Sequence, residues 1–164
     1  MSKILLHSCC GPCTTYVNRW LCENDFQVTS LFYNPNIRPE EEFQKRLSAM
    51  RQYAAAVDLK LIYSTPKETE TAPEVGNCQN CYEIRLTKAA ATAKKLGYQL
   101  FSTTLLVSPY QKHELIKELG IKIGDAIGVK FFYNDFRIGF RQSQAMAKSL
   151  GLYRQKYCGC KEGG

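Results

Sequence analysis

Residues 7–13 read His7-Ser8-Cys9-Cys10-Gly11-Pro12-Cys13 and follow the apolar run Ile4-Leu5-Leu6; the reading of this passage decides the fold. The apolar run is short enough for one buried strand, and Gly11-Pro12 breaks it. From Thr14 to Cys22, apolar side chains recur at helical spacing (Tyr16, Val17, Trp20, Leu21), which predicts a helix. A strand handing over to a helix this early opens an α/β unit, and open α/β sheets place their sites at the carboxyl ends of strands. Three sulfurs fall within five positions at that handover. The positive end of the helix dipole lowers thiol pKa there and favours thiolate. This is a place to hold reactive or metal-bound sulfur.

Strands and helices keep alternating outward from it. Phe26 to Tyr33 reads as a second strand, stopped by the turn signal Asn34-Pro35-Asn36. Pro39-Glu40-Glu41-Glu42 opens a helix, proline first and carboxylates facing the positive end, that runs to about Val57. Leu59 to Tyr63 is a third strand. Pro66 to Gly76 is polar and aperiodic, which predicts a mobile loop. Cys78-Gln79-Asn80-Cys81 begins a long helix to Lys95, closed by Gly97. Leu100 to Leu105 predicts a fourth strand. Ser108-Pro109 reads as the cap of a helix to about Leu119, interrupted by Gly120, with a further turn or two over Ile121 to Ile127. Val129 to Tyr133 is a short fifth strand, and Ser143 to Leu150 a last helix ended by Gly151.

This alternation predicts an α/β, Rossmann-like parallel sheet with helices on both faces and a cysteine-bearing C-terminal tail. In such an order residues 7–13 and 102–110 lie side by side at the switch point, and the other cysteines fold over that edge. With 164 residues, 45% of them hydrophobic, the chain supports one domain over 1–164. No apolar run approaches the ~20 residues that span a bilayer. Lys3 leads straight into a short apolar run rather than a signal peptide, so the expectation is a cytoplasmic protein. The net charge of +7 permits a polyanionic partner.

Of eight cysteines, seven stand in ligand-like contexts: Cys9, Cys10, Cys13, Cys78, Cys81, Cys158 and Cys160. In a cytosolic chain, clustered cysteine means metal or redox chemistry more often than disulfides. Cys78-x-x-Cys81 and Cys158-Gly159-Cys160 are chelating spacings that zinc and iron–sulfur centres use equally well. One tetrahedral zinc takes four thiolates, so seven suggest four for a cluster and three for a second metal with an open position. Cys9 and Cys10, as neighbours, suit two different metals, or one metal and one free thiolate. One is expected to serve the cluster and the other, with Cys13, the second metal. Cys10-Gly11-Pro12-Cys13 is also the thioredoxin string, a reading that leaves five of the seven unused. Cys22 reads as a core residue and His113 as a surface one.

Among other polar groups, His7 is placed to bond a neighbouring backbone group or to donate a proton. Thr103-Thr104 and Ser108-Pro109-Tyr110, at a strand-to-helix turn, suit an anion or a ribose, or an ordinary cap. Arg137 and Arg141, with Tyr133 and Phe140, mix cations and aromatics as an RNA-facing loop does.

Taken together in order, five stretches resemble the QueH-type epoxyqueuosine reductases across essentially the whole chain. They are Leu5-Leu6-His7-x-Cys9-Cys10-Gly11-Pro12-Cys13; Tyr33-Asn34-Pro35-Asn36-Ile37 with Glu41 and Arg46; Cys78-x-x-Cys81-Tyr82-x-x-Arg85; Phe101-x-Thr103-Thr104-Leu105-x-x-Ser108-Pro109-Tyr110; and Tyr153-Arg154-Gln155-x-Tyr157-Cys158-Gly159-Cys160. The resemblance implies reductive removal of the epoxide oxygen of epoxyqueuosine in tRNA, with a 4Fe-4S cluster and a neighbouring mononuclear iron or zinc. It implies an electron donor such as a ferredoxin or flavodoxin. Under it, His7, Cys13 and Tyr110 are the candidate catalytic residues, and Asn34, Thr103, Thr104, Ser108, Arg137 and Arg141 the candidate substrate contacts. Two rival expectations come from the residues. One is a zinc-stabilised RNA-binding module without catalysis. The other is an ATP-using RNA-modifying enzyme, which would need a glycine- and serine-rich phosphate loop where this chain has cysteines.

Overall fold

The computed structural model describes residues 1–63, 73, 74 and 76–158. Strand β1 (Ser2–His7) is central, and Ile4, Leu5 and Leu6 are all fully buried. A strand covered on both faces reads as a continuous apolar run, which is why the passage does not alternate. Helix α1 (Gly11–Glu23) leads to β2 (Phe26–Phe32), and α2 (Glu40–Val57) to β3 (Lys60–Tyr63). On the other side of β1, α3 (Cys78–Leu96) leads to β4 (Leu100–Thr103), and α4 (His113–Ile127) to β5 (Lys130–Phe131); α5 (Phe140–Ser149) follows. The sheet is parallel throughout, in the order β3-β2-β1-β4-β5. Helix α1 packs on α2 and α5, and α3 packs on α4, so helices form two layers about the sheet.

Local chemistry sets the helix ends that matter for the site. Cys10 is the cap of α1, its sulfur accepting the Cys13 N–H at 3.4 Å, with Pro12 in the first turn where no N–H is required. Asn77 caps α3, its side-chain oxygen taking the Asn80 N–H at 3.0 Å, and Gly97 closes that helix at φ +78°. A second apolar cluster lies under α2, built from Phe32, Phe43, Met50 and Tyr53, and it includes Leu152 from the tail.

The sequence reading needs five corrections here. The fourth strand stops at Thr103, because Thr104–Val107 winds into a 3₁₀ turn. Ser108 does not cap the next helix, since its hydroxyl accepts the Tyr110 N–H at 3.2 Å and α4 begins only at His113. Gly120 does not interrupt α4. It lies within the helix, where a larger side chain would run into the Phe131 ring. The fifth strand is two residues long, and α5 starts at Phe140. Most of the loop expected over residues 66–76 lies outside the described residues, as does Cys160.

Candidate metal centre

Strand β1 ends at His7, paired in register with Leu31 of β2 and Thr103 of β4. The chain then turns into α1, and the turn governs the sulfurs. Within a strand Cys9 and Cys10 would point to opposite faces; here their sulfurs lie 3.9 Å apart on one edge. The Cys9, Cys10 and Cys13 sulfurs all lie within 4.8 Å of one another. Thiolates on a tetrahedral ion 2.3 Å away stand roughly 3.8 Å apart. The three could hold a metal ion between them.

Electrostatics within the triplet also ask for a cation. Hydrogen bonds from Cys10 and Cys13 hold the Cys9 thiol well below its usual pKa despite burial, and the Thr104 hydroxyl, 3.1 Å from the Cys9 sulfur, adds another. Cys10 is pushed up, chiefly by burial, and Cys13 is pushed up by its hydrogen bonds to Cys10 and Cys9 and by burial. One negative charge is therefore easily placed among the three sulfurs, and a second or third needs positive charge beside them.

The facing wall comes from α3 and the tail. Cys78 and Cys81 occupy the first turn of α3, and with Cys9, Cys13 and Cys158 they line a single cavity of about 80 Å³. Cys78, Cys81 and Cys158 thus line the same cavity as Cys9 and Cys13, while among the described residues only Cys9, Cys10 and Cys13 form a group close enough to share one ion. The tail is strapped down by Arg46 of α2, which donates to the Tyr157 carbonyl at 2.7 Å and the Cys158 carbonyl at 3.0 Å. The Tyr157 hydroxyl donates to the Arg38 carbonyl at 2.6 Å. Gln155 reaches back to donate to the Cys10 sulfur at 2.9 Å.

This donor set fits a sulfur-bound metal. Side-chain donors on Gln155, Arg85 and Thr104 are aimed at three different sulfurs, at 2.9, 3.0 and 3.1 Å. Hydrogen bonds of this kind commonly support thiolate ligands, and soft thiolates select zinc, copper(I) or iron–sulfur centres. Two residues lining the cavity, Asn36 and Gln155, each hold a buried side-chain oxygen with no partner among the described residues. Buried acceptors are rarely left so, and a hydrogen-bond donor belongs in that space.

Behind the sulfurs lies a polar frame. His7 is fully buried, with Nε2 facing the Tyr33 carbonyl at 3.2 Å and Asn34 Oδ1 at 3.1 Å, and Nδ1 facing the Thr103 hydroxyl at 2.9 Å. Two acceptors at Nε2 put the proton there, and the Thr103 hydroxyl then donates to Nδ1. Burial first, and the Arg85 charge second, lower the His7 pKa to about 4, so the ring is neutral near pH 7. Asn34 is itself buried and ties strand ends together through the Ser8 carbonyl at 3.0 Å. Thr104 accepts the Cys9 N–H at 3.0 Å as well as donating to its sulfur. Ser108 lines the cavity, whereas Tyr110 is 82% exposed and stands edge-on to Phe140 at 5.8 Å. Arg137 and Arg141 are exposed, and Arg137 is bound through two nitrogens to Asp135 at 2.6 and 2.9 Å.

Two residues differ from their sequence reading. Cys22 is exposed rather than in the core, because it falls one position off the buried stripe of Val17, Asn18 and Leu21. His113 is buried rather than on the surface. The 3₁₀ turn after β4 brings the Leu106 carbonyl 2.8 Å from its Nε2. The acid beside Arg46 is Glu42, buried and one helical turn back, while Glu41 is exposed. Tyr82 and Gln155, present in the matching stretches without an assigned role, also line the cavity, as does Gln111, which carries no local signal in the sequence.

Residues 4–162 match the family model described as Epoxyqueuosine reductase QueH. The chain is 40% identical over 164 residues to a protein of that name from Dehalococcoides mccartyi, covering 96% of this chain and 90% of the relative. It is 33% identical to the one from Thermotoga maritima, covering 98% and 89%, and 32% identical to the one from Streptococcus pyogenes, covering 96% and 69%.

Proposed function

The chain belongs to the epoxyqueuosine reductase QueH family, and from that premise we propose that it is a metal-dependent oxidoreductase that reduces epoxyqueuosine to queuosine in tRNA. The observation that carries this reading is the meeting of Cys9, Cys13, Cys78, Cys81 and Cys158 on one cavity at the carboxyl edge of β1. Removing an epoxide oxygen consumes two electrons and two protons, and the oxygen leaves as water. A 4Fe-4S cluster and a mononuclear iron or zinc, held by Cys9, Cys10, Cys13, Cys78, Cys81, Cys158 and Cys160, would supply single electrons and a Lewis acid for that oxygen. An electron donor such as a ferredoxin or flavodoxin completes the balance.

The chain's own residues have distinct tasks in this reading. Residues 1–164 act as one domain in the cytoplasm, where thiols stay reduced. Cys13 faces the substrate cavity, and Ser108 lines the same cavity. His7, neutral and bonded on both sides, keeps the ends of β1, β2 and β4 aligned beneath the sulfurs, with Asn34, Thr103 and Thr104 in the same frame. Tyr110, exposed and braced on Phe140, suits stacking with a base splayed from the anticodon loop. Arg141 faces the RNA phosphates, and Arg137 lies on the same surface but is held by Asp135.

Anaerobic purification followed by iron, sulfide and zinc analysis tests this reading, together with conversion of epoxyqueuosine-containing tRNA under dithionite. The expected protein is brown, bleaches on reduction, holds about five irons as one cluster plus one ion would require, and forms queuosine. A colourless protein with stoichiometric zinc, no sulfide and no turnover would replace the enzyme with a zinc-stabilised RNA-binding module.

A further inference from the structure

Arg85 lies one helical turn after Cys81 on α3, so its side chain, leaning toward the helix amino end, returns to the first turn. Its guanidinium is spent on neutral partners, among them the Tyr82 ring, whose centroid lies 5.8 Å from it. It donates to the Cys81 carbonyl at 3.2 Å and the Cys81 sulfur at 3.0 Å, and reaches Asn34 Oδ1 at 3.5 Å. The residue is 5% exposed and lines the cysteine cavity. Among the described residues it forms no ion pair with a carboxylate. A buried cation without a counter-charge is costly, because neutral dipoles do not replace the water it lost. An anion belongs beside it.

We propose that Arg85 is the built-in counter-charge of the sulfur-bound centre, a positioning residue that anchors Cys81 as a ligand and stabilises the more reduced state of whatever metal the cysteines hold. The inference rests on the proposed metal site and adds a role for one residue in it. Several thiolates around one centre leave net negative charge, and Arg85 meets that charge from within the cavity wall, assisted by the positive end of α3. A hydrogen bond to a ligand sulfur and a nearby positive charge both favour the electron-rich state, and potentials of such centres respond to both. The Cys81-x-x-x-Arg85 spacing is what lets one side chain hold the carbonyl and sulfur of the same ligand.

The test compares the full-length wild type with Arg85→Met and Arg85→Lys under anaerobic conditions. Metal-free proteins are unfolded by heat, zinc(II) is titrated in competition with a chromophoric chelator, and the iron-reconstituted forms are titrated potentiometrically. Metal-free Arg85→Met is expected to unfold at no lower temperature than wild type, since an unmatched charge has gone. Its zinc affinity should fall 10–100-fold and its midpoint potential should become more negative. Arg85→Lys, which keeps the charge and loses the fork, should lie between the two. If metal-free Arg85→Met is clearly less stable while its zinc affinity and potential match wild type, Arg85 is an ordinary structural residue and the proposal is wrong. A wild type that takes up neither zinc nor iron would overturn the metal site itself, and the proposal with it.

Discussion

Two buried arginines line the same cavity, each reaching back four residues along its own helix, and they find different partners. Arg46 on α2 meets a carboxylate, with its Nε 3.0 Å from Glu42 Oε1, and spends its other nitrogens on the Tyr157 and Cys158 carbonyls. The Tyr153 hydroxyl donates to the same carboxylate at 2.7 Å. Burial and that carboxylate raise its pKa to about 12. Arg85 on α3 meets a sulfur, two neutral oxygens and the face of the Tyr82 ring. The first cluster is electrically complete once the chain is folded, so it can fix the tail over the site with or without a ligand. The second is completed only when negative charge arrives on the cysteines. The two walls of one cavity therefore divide the work, one holding shape and the other answering charge.

The largest expected effect breaks the complete side of this comparison. Arg46→Met leaves Glu42 buried and unpaired and frees two tail carbonyls. Such a truncation costs about 3–5 kcal/mol, readable by urea unfolding of the metal-free protein. Trypsin should then cut at Arg154 and Lys156 in the native state. A loss below about 1 kcal/mol would mean that the Glu42–Arg46 pair is no more important to the fold than an exposed one, and the contrast with Arg85 would collapse. The double variant Glu42→Leu/Arg46→Met sharpens the same point. Replacing a buried pair by apolar groups is often close to neutral, so it should recover much of the lost stability while the tail stays open to trypsin. Coupling between the two sites is expected, since they share one ion pair.

How much of this could be read beforehand follows from the range of each interaction. The handover at residues 7–13 and the alternating elements are local patterns, and the parallel sheet with the cysteines on one edge followed from them. The Glu42–Arg46 pair is within reach of the same local patterns, because helical period sets Glu42 one turn before Arg46 on the same face and leaves Glu41 exposed. His113 was not legible, because its burial depends on a 3₁₀ turn that carries the Leu106 carbonyl to it. The charge imbalance at Arg85 was equally hidden. Its spacing from Cys81 is in the sequence, but the absence of a carboxylate beside it among the described residues is a fact of three-dimensional packing. The two neighbouring cysteines meet on one edge because the strand stops at His7, and residue spacing alone leaves that boundary open.

The smallest expected effect carries the same contrast to the surface, where Arg137 and Arg141 look equivalent in sequence. Arg137 is held by Asp135, whose carboxyl is kept near pKa 2 chiefly by the hydrogen bond from Arg137, so the pair stays ionised and adds no net charge. Arg141, exposed on α5, makes no hydrogen bond or ion pair among the described residues. A free surface cation is suited to a phosphate of single-stranded RNA. Each phosphate contact removed lowers the slope of log affinity against log salt by about one. Arg141→Ala is therefore expected to weaken tRNA binding and flatten that slope by about one, with iron content unchanged. Removing Arg137 and Asp135 together should leave the slope where it was, because an equal charge of each sign has gone. Asp135→Asn alone should tighten binding at low salt by releasing Arg137. If the double removal flattens the slope and Arg141→Ala does not, the RNA meets the Asp135–Arg137 pair directly, and an arginine's partner in the free protein says nothing about its use at this surface.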